Sequence, residues 1–307
     1  MNYDLAIIGG GPAGVAAGVY ASRKRLKTIF ITESFGGQSI VSAGIENWIG
    51  TVNISGEELA KNLKEHLLHY AAGIVDVKEG QQVESVIKSG DGFEIKASGN
   101  QSYSAKTVLV TTGSRRRKLE IPGAETYENK GITYCATCDG PLFSGRDVVV
   151  VGGGNAGFES AAQLLAYCNS VTLLNRSENF RADPVTIEKL SKNPKFKIIV
   201  NAVPAEVKGE KFASAIIYED AVTKEKREIQ TGGIFVEIGL IPTTEFVANL
   251  VSLDQWKHIV TDPKNQRASV TGVWAAGDCT DGLYHQNNIA AGDAVKALED
   301  IYYFLHK

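Results

Sequence analysis

The hydrophobic pattern near the N terminus predicts a strand, a helix and a second strand. Residues 3–8 are a short apolar run that ends at a glycine-rich stretch, 9–14, and residues 15–25 are rich in alanine with helical spacing. An apolar, β-branched run returns at 27–31 as the second strand. This order predicts a parallel βαβ unit whose helix begins directly after the glycines.

The same order of elements recurs farther along the chain. An apolar run at 147–151 precedes a second glycine-rich stretch at 152–157, which is followed by a helical pattern at 158–167 and an apolar run at 171–174. This repetition predicts two dinucleotide-binding units of related structure within one chain.

The segments after each repeat predict antiparallel strands, and two amphipathic segments, 57–69 and 290–304, predict further helices. The fold class that follows is α/β, with two Rossmann-like dinucleotide-binding domains, the second inserted in the first. We predict a discontinuous first domain at residues 1–115 and 246–307, and a second domain at residues 116–245.

Composition and charge exclude several classes of protein. The chain has 307 residues, of which 43% are hydrophobic and 22% charged, which is enough apolar material for two cores. Its 32 Lys+Arg and 35 Asp+Glu give a net charge of -3, so no global field favours nucleic acid or an anionic membrane. The sequence shows neither a signal-peptide pattern at its start nor an apolar run long enough to span a membrane. We therefore expect a cytoplasmic protein without a nucleic-acid or membrane partner.

Gly9, Gly11 and Gly14 have the G-x-G-x-x-G spacing between a predicted strand and a predicted helix. Glycines in this position allow a tight turn, a close approach of the backbone to a pyrophosphate and close packing of the helix. Glu33 stands at the end of the next strand, where a carboxylate can accept hydrogen bonds from a ribose. The alternative is a structural turn with a solvated Glu33, but the context favours dinucleotide binding.

The second glycine-rich stretch repeats this spacing at Gly152, Gly154 and Gly157. Here the next strand ends at the neutral Asn175, which Arg176 follows. A neutral or basic strand end suits a 2′-phosphate, so this unit favours NADP over NAD, with Arg176 and Arg181 as phosphate partners. Solvated surface charge is the alternative interpretation of both arginines.

The cysteines of the chain are Cys135, Cys138, Cys168 and Cys279. The first two form a C-x-x-C pair at the predicted start of a helix, where a small disulfide can close and the helix dipole favours a thiolate. The other two are isolated and no histidine stands at metal-ligand spacing from them, so a redox pair is favoured over half of a zinc site or two inert buried thiols. Asp139 follows the pair directly and could exchange a proton with a thiolate or a flavin. We expect no metal.

Several motifs occur in the order in which one flavoprotein family has them. They are Gly9-Gly10-Gly11-Pro12-Ala13-Gly14, Gly36-Gly37-Gln38, Glu46-Asn47-Trp48, Thr111-Thr112-Gly113, Cys135-Ala136-Thr137-Cys138-Asp139-Gly140, Gly152-Gly153-Gly154 and Ala275-Ala276-Gly277-Asp278. Over nearly its whole length the sequence resembles the low-molecular-weight thioredoxin reductase family. It is also similar to the reductase portion of the alkyl hydroperoxide reductase flavoprotein subunit, through Gly140-Pro141-Leu142-Phe143 and residues 234–239. We expect no counterpart of that subunit's N-terminal thioredoxin-like domains, because the first fingerprint begins at Gly9.

The resemblance implies a homodimeric pyridine nucleotide-disulfide oxidoreductase of class II, with FAD on the first repeat and NADPH on the second. Electrons would pass from the nucleotide to the flavin, then to the Cys135/Cys138 disulfide, and then to thioredoxin or a thioredoxin-like protein. Cys138 would face the flavin, Cys135 would attack the partner, and Asp139 would serve as acid and base.

The resemblance also implies contacts for both cofactors. Those of FAD are Gly9, Gly11, Pro12, Ala13, Gly14, Glu33, Gly37, Gln38, Asn47, Thr112, Gly113, Asp278, His285 and Gln286. Those of the pyridine nucleotide are Gly152, Gly154, Asn155, Gly157, Arg176, Arg181 and Gly239. Asp278 would hold the ribityl chain and Gln286 would approach the flavin ring. Hinges near residues 114–122 and 240–247 would give the second domain two orientations.

The sequence departs from the family pattern in three places. After the second glycine triplet, the usual Ser-Ala and Glu-Glu are Ala156-Gly157 and Glu159-Ser160. The pattern His-Arg-Arg-x-x-x-Arg, which the family uses for the 2′-phosphate, begins Asn175-Arg176-Ser177 here, and the usual Arg-Gln beside the flavin is His285-Gln286. NADH or another donor, such as ferredoxin, therefore stays open beside NADPH, as does a different redoxin as the acceptor. A third interpretation is a non-catalytic FAD- or metal-binding module in which Cys135 and Cys138 are structural.

Overall fold

The fold is described from a computed structural model, which covers residues 2–42, 44, 45 and 47–307, with the backbone alone at residues 2, 41, 137 and 138. Its helices are α1 (Pro12–Arg23), α2 (Gly56–Ala71), α3 (Ala136–Asp139), α4 (Asn155–Leu164), α5 (Pro184–Ser191) and α6 (Asn287–Leu305). Its strands are β1 (Asn2–Gly10), β2 (Thr28–Phe35), β3 (Val75–Glu79), β4 (Val83–Ser89), β5 (Gly92–Ala97), β6 (Gln101–Val110), β7 (Ser114–Arg116), β8 (Ile132–Thr133), β9 (Asp147–Val151), β10 (Ser170–Leu174), β11 (Phe196–Ile199), β12 (Ala202–Gly209), β13 (Ala213–Asp220), β14 (Lys226–Gln230), β15 (Gly233–Val236), β16 (Leu240–Pro242) and β17 (Val273–Ala275). Short 3-10 helices lie at Gly37–Val41, Gly140–Phe143 and Glu245–Val247.

The chain divides into two units. Unit 1 is Met1–Arg115 with Ile241–Lys307, and unit 2 is Arg116–Leu240. Unit 1 resumes at Ile241, before the predicted residue 246, because the segment after Ile241 is already bonded to unit 1. The backbone N–H of Thr243 donates to the carbonyl of Gly113 at 3.0 Å, and the Thr112 hydroxyl donates to the carbonyl of Thr243 at 2.6 Å.

Unit 1 contains a seven-stranded sheet in the order β3-β2-β1-β6-β5-β4, with β17 also paired to β6. Strands β1, β2, β3, β6 and β17 run parallel, whereas β4 and β5 form the predicted antiparallel hairpin. The first part of β6 pairs with β5 and its last residues pair with β17. Because these strands are parallel, the carboxyl ends of β1, β2, β6 and β17 lie at the same end of the sheet.

Both faces of β1 are buried, which explains why residues 5–8 are apolar without alternation. Leu5 and Ile7 pack under α1, α2 and α6, while Ala6 and Ile8 belong to the core on the opposite face. Helix α1 approaches closely, since a Cβ added at Gly18 would lie 2.7 Å from a methyl of Leu67 in α2.

Unit 2 contains a five-stranded sheet in the order β11-β10-β9-β15-β8, with every pair parallel. One face packs on α4 and α5, where Phe158 is fully buried between the rings of Phe180 and Phe196. The other face packs on the antiparallel sheet β12-β13-β14. Like β1, strand β9 is therefore covered on both faces.

A buried ion pair lies at the carboxyl end of β15 in unit 2. The Glu237 side chain is 9% exposed, and its carboxylate accepts from Arg116 Nη1 at 3.2 Å and from the Ser160 hydroxyl at 2.7 Å. Burial raises the pKa of Glu237 above its usual 4.5, although Ser160 and Arg116 both oppose that shift. The folded protein therefore binds this proton more tightly than the unfolded chain does.

This raised pKa predicts a pH dependence of stability. Because the folded state holds the proton more tightly, the contribution of Glu237 to the free energy of unfolding is fully present below pH 4.5 and is lost as pH rises through the raised pKa. The difference in free energy of unfolding between the native sequence and Glu237→Gln should fall as pH rises from about 4 to 7. Urea denaturation of both proteins across this range measures it, and a constant or rising difference contradicts the prediction.

Candidate functional site

Two glycines in the first turn are required because other backbone atoms lie too close to admit a side chain. Gly9 has φ +118°, and a Cβ there would lie 2.4 Å from the carbonyl oxygen of Thr111. A Cβ at Gly14 would lie 1.9 Å from the carbonyl oxygen of Gly9. Pro12 and Ala13 between them are buried in the first turn of α1. These contacts hold the N-terminus of α1 at the carboxyl end of the sheet.

The middle glycine of this turn is different, because it borders open space. Among the described atoms, a Cβ added at Gly11 would meet only the Cα of Gly37, at 3.9 Å. Gly37 itself has φ +58° and begins the 3-10 helix after β2. No side chain of the described residues caps the N-terminus of α1. Gly11 and Gly37 thus form a cradle of bare backbone beside a helix N-terminus, and a pyrophosphate fits such a cradle.

Glu33 lies near the end of β2 with an exposed side chain. Within residues 2–42, 44, 45 and 47–307, its carboxylate has no ion-pair partner. It is therefore open to accept hydrogen bonds from a bound molecule at this edge of the sheet, as the strand position predicts.

Other predicted contacts of unit 1 come together from distant parts of the sequence. The Gln38 amide donates to the Ser114 hydroxyl at 2.8 Å, and the Asn47 amide donates to Gln286 Oε1 at 3.0 Å. Asn288, in the first turn of α6, donates to the Asn47 carbonyl at 2.6 Å. Sequence reasoning missed Asn288 and Ser114, since neither carries a motif of its own. The residue before Asn47 in its motif, at position 46, lies outside the described residues.

Thr112 and Gly113 follow β6 at the same edge of unit 1. The Thr112 hydroxyl donates to the carbonyl of Thr243. It therefore fixes the segment at Thr243 and has no hydrogen left to donate to a ligand. Gly113 has φ +61°, and nothing among the described residues lies within 4 Å of where its Cβ would be.

Asp278 follows β17 and is half-buried. Burial raises the pKa of its carboxyl, and the nearby His285 and His258 oppose that shift. No side chain or backbone group of the described residues donates a hydrogen bond to it. The rings of His258 and His285 lie 5.9 Å apart, and Asp254 pairs with His258 at 3.0 Å. A half-buried carboxylate without a donor suits a ligand that carries hydroxyl groups.

The glycine turn of unit 2 repeats this arrangement. Gly152 has φ +130°, with a hypothetical Cβ 2.0 Å from the carbonyl oxygen of Glu237, and a Cβ at Gly157 would lie 1.9 Å from the carbonyl oxygen of Gly152. At Gly154, by contrast, no described atom lies within 4 Å of the Cβ position. The helix N-terminus of α4 has no side-chain cap in the described part of the chain. A second dinucleotide pyrophosphate therefore fits at Gly154.

The loop after β10 is organised by Asn175. Its side chain is 6% exposed, and its amide donates to the carbonyls of Ser177 and Asn179 at 2.8 and 3.1 Å. Arg176 and Arg181 are exposed and form no ion pair within the described residues, so both guanidinium groups are open to an anion. The backbone N–H of Arg181 donates to the carbonyl of Gly153 at 3.1 Å, which brings this residue to the glycine turn.

Two remaining predicted contacts of unit 2 have structural partners. Asn155 Oδ1 accepts from the backbone N–H of Asp183 at 2.8 Å, which ties the start of α4 to the start of α5. Gly239 has φ +102° and its carbonyl accepts from the N–H of Arg117 at 2.9 Å.

Cys135 is disulfide-bonded, whereas Cys168 and Cys279 are free and buried. The side chains of Thr137 and Cys138 lie outside the described residues, so the predicted partner Cys138 is not placed. Burial raises the pKa of Cys168 and raises that of Cys279 to about 11, which keeps both thiols protonated near neutral pH. Among the cysteine side chains that the structure describes, Cys135 is the one in a disulfide.

The helix behind Cys135 is only one turn long, because α3 spans Ala136–Asp139. So short a helix has few aligned peptide dipoles, and the dipole effect expected from the sequence is correspondingly small. Within this turn the N–H of Asp139 donates to the carbonyl of Cys135 at 3.0 Å. Thr133, which the sequence did not single out, donates its hydroxyl hydrogen to Asp139 Oδ2.

The described residues contain neither a metal cluster nor a membrane span. Within them, no group of three or more His, Cys, Asp or Glu side chains is arranged to hold a metal ion. Among the helices of this part of the chain, none has both the length and the apolar run needed to cross a bilayer.

The chain is similar in sequence and structure to known proteins. Residues 3–294 match the family described as pyridine nucleotide-disulphide oxidoreductase. A thioredoxin reductase structure from Lactococcus lactis is 35% identical and has a TM-score of 0.89, with 99% of both chains covered. The alkyl hydroperoxide reductase of Pseudomonas aeruginosa has a component that is 38% identical, and an NADH dehydrogenase of Bacillus subtilis is 37% identical. The matches to these two curated relatives each cover 96% of this chain. The chain spans 57% of the length of either relative.

The two structural expectations from the resemblance are confirmed by these matches, namely an α/β fold with two dinucleotide-binding domains and a likeness to low-molecular-weight thioredoxin reductases. The family implies a flavin and a nicotinamide nucleotide as cofactors, and both open glycines fit such groups. The chain belongs to the pyridine nucleotide-disulphide oxidoreductase family of oxidoreductase enzymes.

Proposed function

We propose that this chain is an FAD-dependent disulfide reductase, which passes electrons from NADPH through the flavin and a Cys135/Cys138 disulfide to thioredoxin or a thioredoxin-like protein. The observation that carries the proposal is the disulfide at Cys135 with Asp139 one helical turn behind it. A disulfide beside a carboxylate is arranged for the exchange of electron pairs and protons. A zinc site at these cysteines is not supported, because a disulfide sulfur is no thiolate ligand.

Unit 1 is the proposed FAD site. The Gly11/Gly37 cradle would take the pyrophosphate, Glu33 would accept from a ribose, and Asp278 would accept from the ribityl hydroxyls. Gln286, held by Asn47, would stand near the flavin ring. When bound, FAD accepts a hydride and passes electron pairs to a disulfide. The chain's own contribution would be to position the dinucleotide, whose hydroxyl groups would donate to the Asp278 carboxylate.

This assignment predicts that Gly11→Ala loses FAD and keeps the fold. The added methyl group meets only the Cα of Gly37 at 3.9 Å, but it occupies the space that the pyrophosphate needs. FAD affinity should fall roughly tenfold or more, measured by flavin absorbance per protein and by titration of the apoprotein. Gly154→Ala is the matched control in unit 2 and should keep its flavin. Equal flavin content in Gly11→Ala and the native protein contradicts the assignment.

Unit 2 is the proposed site of the nucleotide donor. Its open Gly154 would face the pyrophosphate, and Arg176 and Arg181 are exposed where an adenosine phosphate would lie. NADPH is therefore the proposed donor. NADH is the second candidate. The Asn175 amide already donates to two loop carbonyls, so it is not free for a 2′-phosphate, and a curated relative is an NADH dehydrogenase. Nothing in the described residues specifically favours ferredoxin.

The choice between NADPH and NADH as the donor can be tested by adding to this loop the positive charge that the family pattern has at position 177. Ser177 is exposed, and within the described part of the chain its hydroxyl donates only to the carbonyl of Asn179, so Ser177→Arg should place a third guanidinium beside the 2′-phosphate. A charge-assisted contact contributes about 1.5–3 kcal/mol, which predicts a KM for NADPH about ten- to a hundredfold lower and an unchanged KM for NADH. Ser177→Gln is the uncharged control. Anaerobic flavin reduction by NADPH, NADH and reduced ferredoxin provides the reference, and reduction by ferredoxin alone would replace the nucleotide as the donor.

At the disulfide, the proposed roles follow from the family resemblance. Cys135 would attack the disulfide of the partner, and Cys138 would then displace the partner and exchange electrons with the flavin. Asp139 would give a proton to a departing thiolate and take it back in the reverse step. The similarity of this chain to solved structures of thioredoxin reductases supports a thioredoxin-like partner. The alkyl hydroperoxide reductase relatives support a different redoxin as the second candidate.

Single substitutions separate these two cysteines. Cys135→Ser and Cys138→Ser should each lose disulfide turnover and keep flavin reduction by the donor. Cys135→Ser should also show a long-wavelength absorbance band, because a Cys138 thiolate beside the flavin would donate charge to it, whereas Cys138→Ser should not. Cys168→Ser is the control with normal turnover. If the band appears in Cys138→Ser instead, the two roles are exchanged, and turnover that survives both substitutions refutes the proposed function.

A homodimer and a cytoplasmic location belong to the same proposal. Unit 1 exposes Ile49, Val52, Leu283 and Tyr284, which are 82%, 92%, 89% and 75% exposed, and apolar side chains so exposed support a covered surface. A reversible disulfide reductase works in a reducing compartment, which supports the cytoplasm.

A further inference from the structure

Thr133 carries a buried hydroxyl beside the redox motif. It is the last residue of β8, at the edge of the parallel sheet of unit 2, where it pairs with Phe235 of β15. Its side chain is 6% exposed. A buried hydroxyl must find hydrogen-bond partners, and valine would fill the same volume without that need. The partners that Thr133 has are both parts of the redox motif.

The direction of these hydrogen bonds is determined by their chemistry. A threonine hydroxyl has one hydrogen, which Thr133 donates to Asp139 Oδ2. The Thr133 hydroxyl oxygen in turn accepts from the backbone N–H of Cys135 at 3.3 Å. Together with the N–H of Asp139, which donates to the Cys135 carbonyl, a closed ring of contacts joins the disulfide-bonded cysteine to the carboxylate. Thr133 is the only described side chain that hydrogen-bonds to the Asp139 carboxylate.

We propose that Thr133 is a positioning residue, whose hydroxyl holds the Asp139 carboxyl group on the face of the turn where Cys135 lies, so that a proton can pass when the disulfide opens or closes. This inference rests on the proposed disulfide reductase function. Opening the S–S bond would take two electrons from the anionic reduced flavin, whose own proton passes to solvent, and one proton from Asp139, and it would leave one thiol and one thiolate. In closing, the two electrons would pass to the acceptor disulfide, which leaves as two thiolates, and the thiol proton would return to Asp139.

The physical reason is that an aspartate on a one-turn helix is otherwise free to rotate about its side-chain bonds. Cys135 and Asp139 are four residues apart, so their side chains lie on the same face of the turn only while that turn is maintained. A hydrogen bond from a buried strand residue selects one rotamer, since Thr133 itself is held by the β8–β15 pairing. Proton transfer by a positioned group contributes about a hundredfold or more to a rate, and much of this is lost when the group is free to turn away.

The test compares two pairs of variants in the flavin-loaded enzyme. Thr133→Val keeps the shape and removes the hydroxyl, whereas Thr133→Ser keeps the hydroxyl and removes a methyl group. If Thr133→Val fails to load flavin, Thr133→Ala against Thr133→Ser isolates the hydroxyl in the same way. The enzyme is reduced with dithionite without oxygen and mixed with excess 5,5′-dithiobis(2-nitrobenzoate), and the return of the oxidised flavin absorbance reports opening of the disulfide.

We expect flavin reoxidation in Thr133→Val to be slower by roughly tenfold to a hundredfold, with Thr133→Ser close to the native rate. Asp139→Asn should be slowed at least as much, and the double variant Thr133→Val/Asp139→Asn should be no slower than Asp139→Asn, because the hydroxyl acts through that carboxyl group. The reduction potential of the disulfide, measured against dithiothreitol mixtures, should be the same in all Thr133 variants, as a positioning role affects the rate and a strained fold would shift the equilibrium.

Three results would overturn the inference: a native rate in Thr133→Val, a rate in Thr133→Ser as low as in Thr133→Val, or a double variant slowed by the product of the two single effects. Failure of the proposed function itself looks different. If Cys135→Ser still transfers electrons to the aromatic disulfide at the native rate, the disulfide is not on the pathway at all. If Cys135→Ser is inactive and Thr133→Val is normal, the function stands and the role of Thr133 does not.

Discussion

The contact between the start of a helix and the end of the preceding strand determines much of this structure. In unit 1 a Cβ at Gly14 would lie 1.9 Å from the carbonyl oxygen of Gly9, and in unit 2 a Cβ at Gly157 would lie 1.9 Å from that of Gly152. No side chain can enter such a gap, so each helix lies directly against its strand. The helix N-terminus is thereby held at the carboxyl edge of the sheet, and the middle glycine of each turn is left with open space in front of it. The same steric constraint thus produces two dinucleotide sites in one chain.

The strands and helices that carry these turns could be predicted because their signal is local. Apolar runs and helical spacing show both βαβ units, but the helix ends differ from the pattern for identifiable reasons. Helix α1 begins at Pro12, since proline is well suited to the first turn, and ends at Arg23, because Arg25 adopts a left-handed φ of +59°. Helix α6 begins at Asn287, before its first apolar residue, because polar residues in a first turn carry no periodic signal.

The site could be predicted only where one residue acts alone. Glycine turns and the C-x-x-C pair are visible in the sequence, whereas the hydrogen bond from Gln38 to Ser114 and that from Asn47 to Gln286 join segments far apart in the chain. Asn175 shows a further limit of sequence reasoning. Its neutral side chain at the strand end favoured NADP over NAD, but the sequence did not show that this side chain donates to two loop carbonyls and so organises the loop. The charge available to a phosphate then depends on the exposed arginines beside it.

The cysteines show how burial separates reactive sulfur from inert sulfur without any difference in residue type. Cys279 is fully buried and its pKa is raised to about 11, and burial also raises the pKa of Cys168, so neither thiol ionises readily near neutral pH. Cys135 lies instead on a short turn at a sheet edge, only partly buried and disulfide-bonded. Polar groups can reach this position from both sides along the chain, Thr133 before it and Asp139 after it. A sulfur in a fully apolar core could not have them, because each would itself need a partner in that core. The edge of the sheet is therefore where this chain can place a disulfide close to a carboxyl group.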